Sequence, residues 1–159
     1  MKAVPLFFIS ALVLVLASSG CVLEQTRDLL GISGTMYMAY NDVARINFSA
    51  SKASLAAKGY TVNVYPAEWN PSGAAYDNGA EIFRKDDFIF HIASWTFGGS
   101  QKALASGYYN ATNGEFKTEK ETTAAEKYIK NEMALIAGNL NLTFDWSQVK
   151  WAVDVGPAK

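Results

Sequence analysis

Residues 80–97 read AEIFRKDDFIFHIASWTF, two apolar runs on either side of the charged turn Lys85-Asp86-Asp87. β-Branched and aromatic residues suit a pleated, half-buried surface, and a short polar break between two such runs makes a hairpin, here 80–84 against 88–97. Working outward, residues 60–65 (YTVNVY) have the same character and Pro66 closes them. Residues 67–79 contain Pro71, Gly73, Asn78 and Gly79 and read as a loop. Gly98-Gly99-Ser100 breaks the chain before a further strand over 103–111, and Asn113-Gly114 signals a type I′ turn into 115–118. The middle of the chain is therefore expected to form an antiparallel meander.

Helical periodicity flanks this region. Met36, Tyr40, Val43, Ile46, Ala50 and Leu55 fall near helical spacing, and Gly59 follows Lys58 as a stop, so the pattern predicts a helix over 36–58. Ala44, Ile46 and Phe48, alternating with Arg45 and Asn47, would also suit a strand in its first half. Thr123-Ala124-Ala125-Glu126 matches a capping box, and the stripe Ala125, Ile129, Met133, Ile136, Leu140 predicts a second helix with Gly138 as its stop. Leu140, Leu142 and Phe144, and then Val149, Trp151, Val153 and Val155, alternate with their neighbours and read as extended, the last four as a terminal strand buried on one face. The expected fold class is α+β: an antiparallel β-sheet meander with two helices packed on one face.

Composition narrows the partners. The chain carries 14 basic and 15 acidic residues, without a dense basic patch, so nucleic acid is not an expected partner. Its single cysteine leaves no pair for a disulfide, and four Trp, eight Tyr and nine Phe supply packing instead.

The first residues address the chain. Lys2 is a positive start, residues 4–17 are almost unbroken apolar sequence, and Ser18-Ser19-Gly20 places small residues before Cys21. That order reads as an export signal, and the run is short of the ~20 residues a helix needs to cross a bilayer. The stretch resembles the lipobox of prokaryotic lipoproteins, and its Ser-Gly-Cys ending is similar to archaeal exported lipoproteins. Where the usual bacterial pattern has leucine three residues before the cysteine, this chain has Ser18, and its nearest leucine is Leu16. The resemblance implies cleavage before Cys21 and lipidation of that residue, with simple secretion or an uncleaved anchor as alternatives. The expected organisation is a signal peptide over 1–20, a lipid-anchored tether over 21–34 and one domain over 35–159, held at the cell membrane and facing outside the cytoplasm.

Downstream chemistry is sparse. His91, the only histidine, sits on an expected strand without a nucleophile-elbow motif, where a half-buried structural histidine is the simpler reading. One histidine and no spare cysteine imply no metal site, and no cofactor is implied. Asp86-Asp87 reads as a solubilising hairpin tip, and Glu119 and Glu121 as charges favouring the positive end of the second helix. Three sequons, at Asn47, Asn110 and Asn141, are candidate glycan acceptors, Asn110 being the one expected to be most accessible. Trp69 and Tyr76, in the Pro/Gly-rich stretch, are candidate ligand contacts, the alternative being that they cap the core.

Residues 108–116, YYNATNGEF, are similar to the end of PepSY-type modules of secreted and membrane-linked proteins, whose last strand runs into a Thr-Gly-acidic turn; here Asn113 is interposed. That resemblance implies a regulatory or inhibitory module and carries over no residue. The sequence thus points to a lipid-anchored, non-enzymatic binding domain for a protein, glycan or small ligand. The rival is a carboxylate-dependent hydrolase, with His91 and Asp87 the residues whose single replacement tests it; a third reading is a structural envelope component that self-associates, and the oligomeric state is left open.

Overall fold

The computed structural model describes residues 29–65, 67–69, 74–85, 87–111 and 122–155. The chain is α+β, and its elements run β1 (Leu29–Met38), α1 (Tyr40–Ala44), α2 (Phe48–Ala56), β2 (Thr61–Tyr65), β3 (Glu68–Trp69), β4 (Ala74–Arg84), β5 (Phe88–Phe97), β6 (Ser100–Asn110), α3 (Thr122–Leu140), a 3₁₀ turn (Trp146–Gln148) and β7 (Lys150–Val155). The strands form one antiparallel sheet in the order β2-β4-β5-β6-β1-β7, with β3 also on β4.

The meander is built by its turns. Gly98 and Gly99 have φ of 56° and 79°, the positive pair that a two-residue type I′ turn requires, and they join Phe97 directly to Ser100. Residues 67–79 are not one loop: β3 and the first half of β4 occupy them, so Trp69 and Tyr76 lie on paired strands, Trp69 opposite Ala75 and Tyr76 opposite Glu68. Asn78 is a strand residue because its side chain has partners. Its amide donates to the carbonyls of Val43 (2.9 Å) and Ile46 (2.8 Å), which ties β4 to the end of α1.

The helix predicted over 36–58 is instead the end of β1 followed by two short helices. Its apolar spacing arises because Met36 leaves a strand into the core, whereas Val43, Phe48 and Leu55 enter it from α1 and α2. Residues 29–34, read as tether, are the first part of β1, which lies between β6 and β7; the domain therefore starts by Leu29, not residue 35. Its glycines answer to packing rather than to linker flexibility. A Cβ at Gly34 would lie 2.7 Å from the Trp151 ring, and one at Gly31 would overlap the hydroxyl end of Tyr108.

All three helices cover the same face. Ile129, Met133 and Ile136 of α3 meet Ile32, Met36, Phe88, Phe90, Ile92 and Ala105 in a single core. Gly107 brings α3 close, since a Cβ there would sit 2.7 Å from Met133 Sδ. α3 already includes Thr122, so Thr123 is not the cap that the capping-box reading requires, and it runs past Gly138 to Leu140. Asn141 takes the left-handed position (φ 54°), and Leu142 N–H reaches back to the Ala137 carbonyl at 2.9 Å, a Schellman closure. The apolar contact of Leu142 with the core accounts for this later stop.

One end of the core is polar. Tyr60 donates to Glu132 Oε2 at 2.5 Å, Arg84 Nε lies 3.0 Å from the same oxygen, and the guanidinium stacks 4.3 Å above the Tyr60 ring. Tyr128 packs edge-on against Tyr109 and Phe88 beside this group. Burial, and then the Glu132 charge, push the Tyr128 phenol up to about 12 and raise Tyr60 as well.

Two outcomes follow. Asn78→Asp loses both donated bonds and sets a carboxylate against two carbonyls, which should lower stability by about 1–3 kcal/mol, read as a shifted urea midpoint. Tyr60 and Tyr128 are raised in the folded state, so their contribution is complete below the ordinary tyrosine value of 10.0 and is lost as pH rises through the folded values. Tyrosinate absorbance and far-UV circular dichroism should therefore change together above pH 10; ionisation of every tyrosine near pH 10 in a still-folded chain would contradict it.

Candidate functional site

With the helices on one side, the other face of the sheet carries the alternate residues of every strand. The registers align Asn63, Glu81, His91, Ser106, Thr35 and Lys150 into a single row across β2, β4, β5, β6, β1 and β7. Side chains directly opposite on antiparallel strands approach to about 5 Å between Cβ atoms, so neighbours in this row are within reach of one another. Tyr65 donates to Glu81 Oε2 at 2.9 Å, and its ring lies 5.9 Å from that of His91. The Ser106 and Thr35 hydroxyls share a hydrogen bond of 3.0 Å. His91 sits between these two pairs, half-buried.

Apolar side chains border the row. Phe83, Ile89 and Tyr108 form the adjoining row on one side, and Leu104 and Tyr37 lie on the other, with Trp95 and Phe97 further along. Tyr37 is 63% and Phe97 56% exposed, which marks this surface as the place where large apolar groups meet solvent. A few polar groups set among rings can orient a ligand by hydrogen bonds while the rings supply contact area.

His91 is thus placed among polar groups, but away from Asp87. Asp87 lies at the hairpin end of β5, four positions and about 13 Å along the strand, where its carbonyl accepts Asn110 N–H at 2.7 Å. Glu81 and Ser106 are the neighbours of His91, and sequence reasoning missed both. The signal was present: a two-residue turn at Gly98-Gly99 sets Ser106 opposite His91, and pairing Arg84 with Phe88 sets Glu81 on its other side. Thr35 joins only through the long-range pairing of β1 with β6.

The remaining candidates scatter. Cys21, Asp86, Glu119, Glu121 and residues 112–116 of the PepSY-like stretch lie outside the described residues, as do the side chains of Trp69 and Tyr76. Asn110 is half-buried at the end of β6, whereas Asn47 and Asn141 are exposed, which reverses the expected order of accessibility. These two sequons line one groove of about 550 Å³ between α1–α2 and the end of α3, together with Asp42, Arg45 and Asn139. The Asn47 side-chain oxygen Oδ1 caps α2 by accepting from Ala50 N–H at 3.0 Å. Among the described residues, no group of three His, Cys, Asp or Glu gathers to hold a metal, and no helix is long and apolar enough to cross a membrane.

Because Asn141 occupies a left-handed position, Asn141→Gly should leave stability unchanged or raise it by up to about 1 kcal/mol while removing the sequon, and Asn141→Val should lower it. Thermal unfolding of the two variants checks the sign of each.

No protein-family model, curated protein or solved structure matches this chain.

Proposed function

We propose that the chain is a lipid-anchored, extracytoplasmic binding domain that presents the uncovered sheet face to a glycan. The observation that carries this reading is the row Glu81, His91, Ser106, Thr35 bordered by rings: hydroxyls of an extended sugar chain find acceptors and donors along the row, and its C–H faces rest on Tyr37 and Trp95. The lipobox-like end at Cys21 supports attachment to the membrane outside the cytoplasm. Adding oligosaccharides from the host envelope to detergent-solubilised full chain should give a saturable change in tryptophan fluorescence. Glu81→Gln should weaken it about tenfold, the scale of one hydrogen bond to a charged group, and Lys58→Ala should leave it unchanged. A folded chain that responds to none of the sugars overturns the reading. Cys21→Ser should release the chain from the membrane fraction and remove the lipid mass.

The order Glu81–His91–Ser106 also favours a second reading, an acyl hydrolase with Ser106 as nucleophile, His91 as base and Glu81 as its orienting acid. It ranks lower because the N–H groups of β4, β5 and β6 are engaged in the sheet ladders, which leaves backbone donors at the centre of this face unable to stabilise an oxyanion. Loss of p-nitrophenyl acetate hydrolysis in both Ser106→Ala and His91→Ala would promote it; rates equal to the parent chain would remove it.

A further inference from the structure

We infer that strand β7 is a self-pairing edge, through which two copies of this chain join their sheets across a two-fold axis at Ala152. Among the described residues β7 pairs only with β1, so its outer side presents the unpaired backbone N–H and C=O groups of a terminal strand. The opposite edge is interrupted between β2 and β3, where Pro66 falls in the sequence. β7 has no such break: Lys150, Ala152, Val153 and Asp154 are all exposed, and Val153, at 39%, is one of three exposed large apolar residues among the described residues.

The side chains argue for a second copy rather than another partner, because the strand is complementary to its own reverse. Lys150 and Asp154 stand two residues either side of Ala152, and Trp151 and Val153 one residue either side. Antiparallel pairing that sets Ala152 against Ala152 brings Lys150 of each copy opposite Asp154 of the other on the uncovered face. On the helix side it brings Trp151 opposite Val153. Opposite charges directly across an antiparallel pair stabilise it, and a two-fold axis repeats each contact. Any other register that leaves the strands paired offers fewer of these matches. In the joined sheet Lys150, at the end of the polar row, meets Asp154 of the second copy, whose own row starts four residues along the strand, and the uncovered faces of the two copies lie on the same side. This inference does not depend on what that surface binds.

Ala152→Cys in the full chain, oxidised in membranes, should give a disulfide-linked dimer, since at the axis the residue faces its own equivalent. Lys150→Cys alone and Asp154→Cys alone should not, whereas the two co-expressed should cross-link to each other. Sedimentation of detergent-solubilised chain should show concentration-dependent dimers that Lys150→Asp weakens at least tenfold and that Lys150→Asp combined with Asp154→Lys restores. Dimerisation indifferent to these charges, cross-linking of Ala152→Cys no greater than that of the remote Lys58→Cys, or a monomer at every concentration overturns the inference.

Discussion

Backbone pairing of β1 with two neighbours holds the molecule together. β6 comes from the meander and β7 from the last described stretch, and neither pairs with the other; both are in the sheet because β1 lies between them. That position demands close packing above and below a strand only ten residues long. Gly31 and Gly34 provide it by admitting the Tyr108 and Trp151 rings, and Ile32 and Met36 fill the core on the helix side. Since β1 precedes the other described elements, its pairings close long loops, and the sheet forms only once distant parts of the chain have met.

One-sided cover follows from the same arrangement. α1 and α2 lie between β1, near one edge, and β2 at the other, and α3 between β6 and β7, and all three of these helices lie on one side. Asn78 ties the end of α1 to β4, and the Ser54–Asn139 hydrogen bond of 2.6 Å ties α2 to α3. The other side keeps its polar row and its bordering rings, a surface that an antiparallel sheet tolerates because alternate residues need not be apolar.

Much of the meander was legible because its signals are local. The polar turn at residues 85–87 and the Gly98-Gly99 pair fix which residues face one another over the next several positions, and the 125–140 stripe reports a helix with one buried face. Reading those registers outward from the turns would have placed Glu81 and Ser106 beside His91. Residues 29–38 and 74–79 were misread for one physical reason: Gly31, Gly34, Asn78 and Gly79 are turn-formers in isolation, and partners far along the chain make them strand residues. A Cβ at Gly79 would lie 2.9 Å from the Ile92 carbonyl oxygen, a contact that no local pattern announces.

The sequence by itself determined the α+β class, the central hairpins and the long helix, since each rests on side-chain periodicity or on residues adjacent in the chain. Only the tertiary structure decided that β1 is a strand, that β7 lies at an edge of the described sheet beside it, and that six residues from six strands share one row. Those outcomes depend on which segments pair across long separations, and hydrogen bonds between distant backbones leave no imprint on the spacing of neighbouring side chains.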